Sequence, residues 1–240
     1  MSTLLLRFAA PLQSWGASSR FQTRLTGREP TKSGVIGMLA AALGRRRTDS
    51  LADLCALNFG VRIDQPGKLL KDYHTARTFD GSQSFVSNRY YLSDAIFLVG
   101  LEADDEVLHQ WEEALRSPAF PLFLGRRSCP PVMPLVLGVR QGVSLADALE
   151  QEPWIAACSH QRLLRREAKV SLEIVKDAIH GEPDSYLIDD LPETFDQTYR
   201  RYTTRSVKNT LNAVVVENPC HQTDLVETTH DALSVVEEVR

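Results

Sequence analysis

Arginine beside glycine, with aromatic rings close by, is the recurring chemistry of this sequence. The stretch LGRRSCP at 124–130 sets Gly125 ahead of Arg126 and Arg127, with Ser128 and Cys129 following. A glycine lets backbone approach a ligand closely, planar guanidinium forks match phosphate oxygens, and a serine hydroxyl adds a donor. A second set lies near the start: Arg20, Arg24, Arg28 and Lys32 recur every four residues, interleaved with Trp15 and Phe21. Cations among aromatic rings grip phosphates and stack bases. A third set sits on two polar arms, one with Tyr73, His74, Thr75 and Arg77, the other with Asn88, Arg89, Tyr90 and Tyr91. A fourth is Arg200, Arg201, Arg205 and Lys208. Solvated loops and strand faces carry the same residue types, so composition alone leaves a nucleic-acid grip and a bland surface both open.

Catalysis has thinner support. Tyr73, His74 and the nearby Lys71 are types that cleave RNA without metal: a base takes the 2′-hydroxyl proton and a cation steadies the phosphorane. On a regular strand Lys71 and Tyr73 share a side and His74 faces away, which counts against concerted use. The four cysteines, Cys55, Cys129, Cys158 and Cys220, are scattered, with no C-x-x-C and no zinc spacing. No cofactor or metal is expected, and Cys129 and Cys158 read as inert thiols suited to a reducing cytosol. The phosphate-loop pattern G-x-x-x-x-G-K-[ST] is missing.

Charge is uneven. Residues 1–47 carry eight basic side chains against Glu29, a net of +7, whereas 220–240 carry five acids against Arg240, a net of −4. The overall charge of −4 therefore does not exclude a polyanionic partner for the N-terminal fifth. The opening apolar run is too short to span a bilayer and has no basic leader, so it reads as a strand, with a cytoplasmic chain and no membrane partner expected.

Elements must position these groups. Thr3–Ala10 reads as a central strand ended by Pro11. A long polar loop follows, and then a helix over Ser33–Gly44 capped by Thr31 or Ser33. Gly34 and Gly37 each cost that helix about 1 kcal/mol relative to alanine, so close packing or a nearby ligand must offset them. The helix start, flanked by Lys32, is a candidate phosphate site through its unpaired N–H groups. Leu51–Leu57 reads as a short helical piece, Asn58–Asp64 as a strand, and Lys68–Arg77 with Phe85–Leu92 as a hairpin turning at Asp80-Gly81. Asp94–Glu102 reads as a strand and Asp104–Arg116 as an amphipathic helix burying Val107, Leu108, Trp111 and Leu115. Short strands are expected at Pro121–Leu124 and Pro134–Arg140.

The order β-α-β, hairpin, β-α-β over 1–140 predicts an α+β fold of ferredoxin-like (RRM-like) type, with a hairpin inserted at about 68–92. Beyond it, Ser144–Glu150 reads as a short helix, and Ala168–Asp177, Tyr186–Ile188 and Leu211–Val216 as strands, so 141–219 is expected to be a smaller, mainly-β unit. Residues 220–240 are read as an acidic tail.

Five blocks carry a family resemblance: LLLRFAAPLQSWG, GREPTKSGVIGMLAAALG, the DYHT of Asp72–Thr75, LGRRSCP, and RRYTTRSV at Arg200–Val207. In this order they resemble the CasD family, the type I-E CRISPR Cascade subunit that holds the 5′ handle of the guide RNA (crRNA). The resemblance implies a palm with an inserted thumb, spanning roughly Tyr73–Tyr91, and a non-catalytic antiviral role within a ribonucleoprotein complex. Its implied partners are the crRNA 5′ handle, a CasC-type backbone subunit, a CasA-type large subunit, and target DNA indirectly through the complex. Carried over by position, the handle grip falls on Gln13, Ser14 and Trp15, on Lys32, Ser33 and Gly34, and on Gly125 through Cys129. A related subtype uses its equivalent subunit as the processing nuclease, which keeps a metal-independent endoribonuclease as the alternative.

Overall fold

The computed structural model describes residues 1–16 and 23–222. Its centre is β1 (Ser2–Ala9), an almost unbroken apolar run. Such a run implies burial on both faces, and the core divides accordingly. Leu4, Leu6 and Phe8 point into one hydrophobic layer, and Leu5 points into the other. Short pairings at β2 (Leu12–Gln13) and β3 (Thr23–Arg24) interrupt the polar loop that follows. Helix α1 (Lys32–Ala42) is capped by Thr31, whose side chain accepts from the Gly34 N–H. After α2 (Ala52–Cys55) come β4 (Asn58–Gln65), the hairpin β5 (Lys68–Arg77) and β6 (Ser84–Ser93), β7 (Ile96–Ala103), α3 (Asp105–Arg116) and β8 (Val136–Arg140). The chain continues through α4 (Leu145–Gln151), α5 (Cys158–Leu163), β9 (Lys169–Asp177), β10 (Ser185–Thr194) and β11 (Arg201–Glu217).

Seven strands form one sheet in the order β10-β11-β9-β4-β7-β1-β8. Its recorded pairings are antiparallel. Helices α1 and α3 cover one face, through Val35, Ile36, Leu39, Leu108 and Trp111. Helix α4 covers the other, through Leu145 and Leu149. It sits over the facing pair Gly60 and Gly100, where a Cβ on Gly100 would fall 2.6 Å from Leu145 Cδ1. The strands of the C-terminal part join this sheet through β9, which pairs with β4.

Several expectations need revision. Pro121–Leu124 is not a strand. Pro118 and Pro121 remove donors nearby, and the Leu124 N–H closes a tight loop onto the Cys129 carbonyl. The separate pieces expected at 199–216 are one 17-residue strand, because a bulge between Thr210 and Val214 carries the pairing through. Strand β10 runs well past Tyr186–Ile188, and α5 falls where the periodicity gave no helix.

Two buried ionic clusters tie distant segments together. Arg62 and Asp64 pair at 2.8 Å with both side chains fully buried. The remaining Arg62 donors go to the carbonyls of Leu149, Glu152 and Pro153, fixing the turn after α4. On the opposite face Arg205 pairs with Asp177 and Asp190. Asp190 also accepts from the Lys32 N–H at 2.8 Å, and Lys32 Nζ reaches Asp177 at 2.8 Å. Removing one member of a buried pair strands the other's charge and costs about 3–5 kcal/mol. Asp190→Ala is therefore expected to lower stability by roughly that amount in urea unfolding, and Asp190→Asn, which keeps an acceptor for the helix start, by less.

Candidate nucleic-acid interface

The helix start expected to hold phosphate is already occupied. Asp190 takes the first N–H and Thr31 Oγ1 the Gly34 N–H at 3.2 Å. Lys32 lies inside the protein, its ammonium bonded to Asp177 and to the Leu57 carbonyl. Ser33 is half-buried against Thr31 Oγ1 at 3.4 Å. Gly34 is accounted for by packing, since a Cβ there would lie 3.0 Å from Trp15 Cζ3. Trp15 is core: it is 1% exposed, stacked on Phe8 with centroids 5.5 Å apart, and donates Nε1–H to Gln13 Oε1. Gln13 is buried and donates to the Phe8 and Ala95 carbonyls, while Ser14 donates to the Tyr90 carbonyl. Of the residues placed by position in the grip, Gln13, Trp15 and Lys32 are internal, whereas Ser14 lines a cleft beside Gly125 and Ser33 and Gly34 line a groove along α1. The partners of the internal three lie up to 158 residues away in sequence, beyond the reach of local spacing.

The glycine–arginine loop is exposed and tightly built. Gly125 has φ +84, and a Cβ on it would fall 1.7 Å from the Ser14 carbonyl oxygen. The Ser14 N–H in turn donates to the Leu124 carbonyl. Arg126 lies over the Tyr91 ring, 4.6 Å from its centroid, and donates Nη2–H to the Arg24 carbonyl at 3.0 Å. In the β3–β6 pairing Arg24 stands opposite Arg89. Burial pushes the Tyr91 phenol up, but hydrogen bonds with Arg126 and Ser128, the Arg126 charge, and a bond with Arg89 outweigh it and leave the group below the usual tyrosine range. Arg89 Nε and Arg126 Nη1 are buried with no acceptor among the described residues. A cleft of about 440 Å³ opens beside them, lined by Arg24, Gly125, Arg126 and Arg200. None of Arg24, Arg89, Arg126 and Arg200 makes a salt bridge among the described residues, whereas Arg28 reaches Glu173 at 3.2 Å. Arg127 and Ser128 are exposed at the rim. Cys129 is 1% exposed and burial pushes its thiol up, so it is structural. Arg20 and Phe21 lie outside the described residues.

The hairpin is held at its base and free beyond it. Tyr91 and Leu92 are buried, and β2 and β3 both pair with β6. The register opposite β6 is regular, with Lys71 facing Tyr90, Tyr73 facing Asn88 and His74 facing Ser87. Alternation therefore puts Lys71, Tyr73 and Arg77 on one face and His74 on the other, with Arg89 and Tyr91. Tyr73, His74 and Arg77 are exposed, and they lie on the arm away from Gly125.

A second groove adjoins the first and escapes local reading. It has a volume of about 630 Å³ between α1, Phe120–Phe123 and Phe195–Tyr202, and it shares Gly125 and Arg200 with the arginine cleft. The triplet Arg45-Arg46-Arg47 and the basic Arg200 are its sequence signals, but nothing local brings them together. Of the basic patch near the C-terminus, Arg201 pairs with Glu193, Lys208 with Glu182, and Arg205 is internal, so Arg200 alone turns to the cleft. Among the described residues no group of three or more His, Cys, Asp or Glu side chains is placed to hold a metal, and no helix is long and apolar enough to cross a membrane.

An α+β fold carrying an arginine cleft at a hairpin base is the setting for the family comparison. Residues 3–208 match the family described as CRISPR-associated protein (Cas_Cas5), and this chain belongs to that family. It is 38% identical over 170 residues to the CRISPR system Cascade subunit CasD of Escherichia coli (strain K12), covering 62% of this chain and 75% of that protein. A chain of a solved "CRISPR RNA-guided surveillance complex" matches with TM-score 0.73 and 31% identity, over 93% of this chain and 95% of that one. A solved "Cas protein" matches with TM-score 0.65 and 36% identity, over 92% and 98%.

Gly125→Ala combines a disfavoured φ with a backbone clash and is expected to cost at least about 3 kcal/mol, read by thermal or urea unfolding. Trp15→Ala is expected to cost about 3–5 kcal/mol as a core truncation. Arg126→Ala should move the Tyr91 phenol back up toward the usual tyrosine range, followed by ultraviolet titration of the phenolate.

Proposed function

We propose that this chain is a non-catalytic, crRNA-binding assembly subunit of a type I-E CRISPR surveillance complex, gripping the 5′ handle and capping the backbone filament. The observation that carries this reading is the convergence of Arg24, Arg126 and Arg200 on one cleft, with Arg89 opposite Arg24 and no ion pair to any of the four among the described residues, in a chain of this family. Unpaired buried guanidinium N–H groups need an acceptor, and phosphate oxygens supply one with matching geometry. In this reading Arg24, Arg89, Arg126, Arg127 and Ser128 touch the handle, and Gly125 lets its backbone come close. Tyr91 holds the arginines rather than stacking a base. The thumb is the hairpin at about 68–92, with Tyr73, His74 and Arg77 on its exposed surface.

The order β4-β7-β1-β8, with α1 and α3 on one face, supports a ferredoxin-like palm over 1–140. We treat 141–219 as a smaller C-terminal unit that shares the palm's sheet, and 220–240 as an acidic tail. A CasC-type backbone subunit and a CasA-type large subunit are the proposed protein neighbours, target DNA is met through the complex, and the setting is cytoplasmic. The split of Lys71 and Tyr73 from His74 across the hairpin disfavours the endoribonuclease alternative.

Replacing Arg126 and Arg127 by Ala in the assembled complex is expected to weaken handle binding and to flatten its salt dependence, by about 0.7 in log–log slope for each arginine–phosphate ion pair removed. Unchanged affinity and slope would remove this loop from the interface. Labelled repeat RNA incubated with the protein in chelator should stay intact on a denaturing gel; a discrete product that disappears in His74→Ala would establish the nuclease instead.

A further inference from the structure

Gly37 is the feature of α1 that packing leaves unexplained. Trp15 accounts for Gly34, but a Cβ on Gly37 would meet only the Phe195 ring edge, at 3.6 Å, which is ordinary contact. Alanine would fit there and would strengthen the helix. Gly37 instead forms part of the floor of the 630 Å³ groove. The walls are aromatic: Phe120 is 49% exposed, Tyr202 is 39% exposed, and Phe195 is half-buried. Arg46, Arg47 and Arg200 rim it, and none of them makes a salt bridge among the described residues. At Gly125 and Arg200 the groove runs directly into the arginine cleft.

We propose that this groove is a base slot: one unstacked nucleobase of the bound single-stranded RNA enters between Phe120, Phe195 and Tyr202 over Gly37, while its phosphate lies in the cleft at Arg126 and Arg200. The proposal rests on the RNA-binding reading and adds a subsite to it. The unneutralised rim favours an anion over a neutral or basic ligand, and flat apolar walls, which accept either face of a base, favour a nucleotide over an acidic peptide. The glycine keeps the floor low enough for a ring to lie against the helix backbone. Arginine–phosphate contacts would set the register, and the slot would select which nucleotide is turned out of the stack.

The test is a cycle between protein and RNA in the assembled complex. Repeat-derived RNAs carrying a single abasic site at each handle position are bound to the parent protein and to Gly37→Leu, whose side chain fills the slot. One abasic position is expected to cost the parent about tenfold in affinity and to cost Gly37→Leu almost nothing, with Gly37→Leu itself weakened about tenfold on intact RNA. Its thermal midpoint should equal or exceed the parent's. Should Gly37→Leu fold poorly, Gly37→Ala and Phe120→Ala carry the same cycle, since Phe120 is half exposed. Abasic profiles that coincide in all these proteins overturn the slot. Unchanged RNA affinity with loss of a protein subunit overturns it too, and assigns the groove to a partner chain. If Arg126→Ala still weakens binding in either case, the RNA-binding reading survives; if it does not, that reading fails as well.

Discussion

Asp190 fixes the internal charge pattern of this protein. One carboxylate takes the first N–H of α1 and two donors of an arginine fork, and Arg205 passes the link to Asp177 and so to Lys32. A helix N-terminus with its dipole unopposed is an anion site open to any phosphate. Here an internal anion has filled it. The same bonds fasten the last strands of the chain to its first helix, across more than 140 residues of sequence. The unpaired cationic groups beside Arg126 thus lie not at the helix end but at the loop of Gly125.

Among the described residues seven arginines are tied into ion pairs, and of those that are not, a subset meets at the cleft beside Gly125. Arg28, Arg45, Arg62, Arg116, Arg140, Arg201 and Arg205 each hold a carboxylate. Arg24, Arg126 and Arg200 hold none among the described residues and line one cleft, with Arg89 opposite Arg24 in the strand pairing. A folded protein neutralises charges that serve only its own stability. Self-repulsion among unneutralised ones is tolerated where a partner of opposite sign is to be bound. A chain that is acidic overall can in this way present a basic cleft.

The elements were legible where a local pattern decides them. The apolar run of β1, the amphipathic face of α3, the Asp80-Gly81 hairpin and the Thr31 cap are each set by a few neighbouring residues. The candidate site was legible in part: Gly125 and Arg126 stand out by type and line the cleft together. Trp15 and Lys32 turn inward for one reason. A side chain's direction depends on what packs against it, and their partners, Phe8 beneath Trp15 and Asp177 beside Lys32, are contacts of the tertiary fold. The groove at Gly37 is harder still, since Phe120, Phe195 and Arg200 come from separate parts of the chain.

Strand order also sets a timetable. Strand β4 pairs with β7 on one edge, but its other edge waits for β9, which lies about a hundred residues further along the chain. At ribosomal speeds of about 5–20 residues per second, that edge is open for roughly 5–20 s in each newly made molecule. During the same interval Lys32 and the start of α1 lack Asp177 and Asp190. The nascent N-terminal part is therefore a half-finished sheet with a positively charged helix start that still lacks Asp177 and Asp190. Completion of the C-terminal strands is the step that neutralises the helix start and closes the open edge.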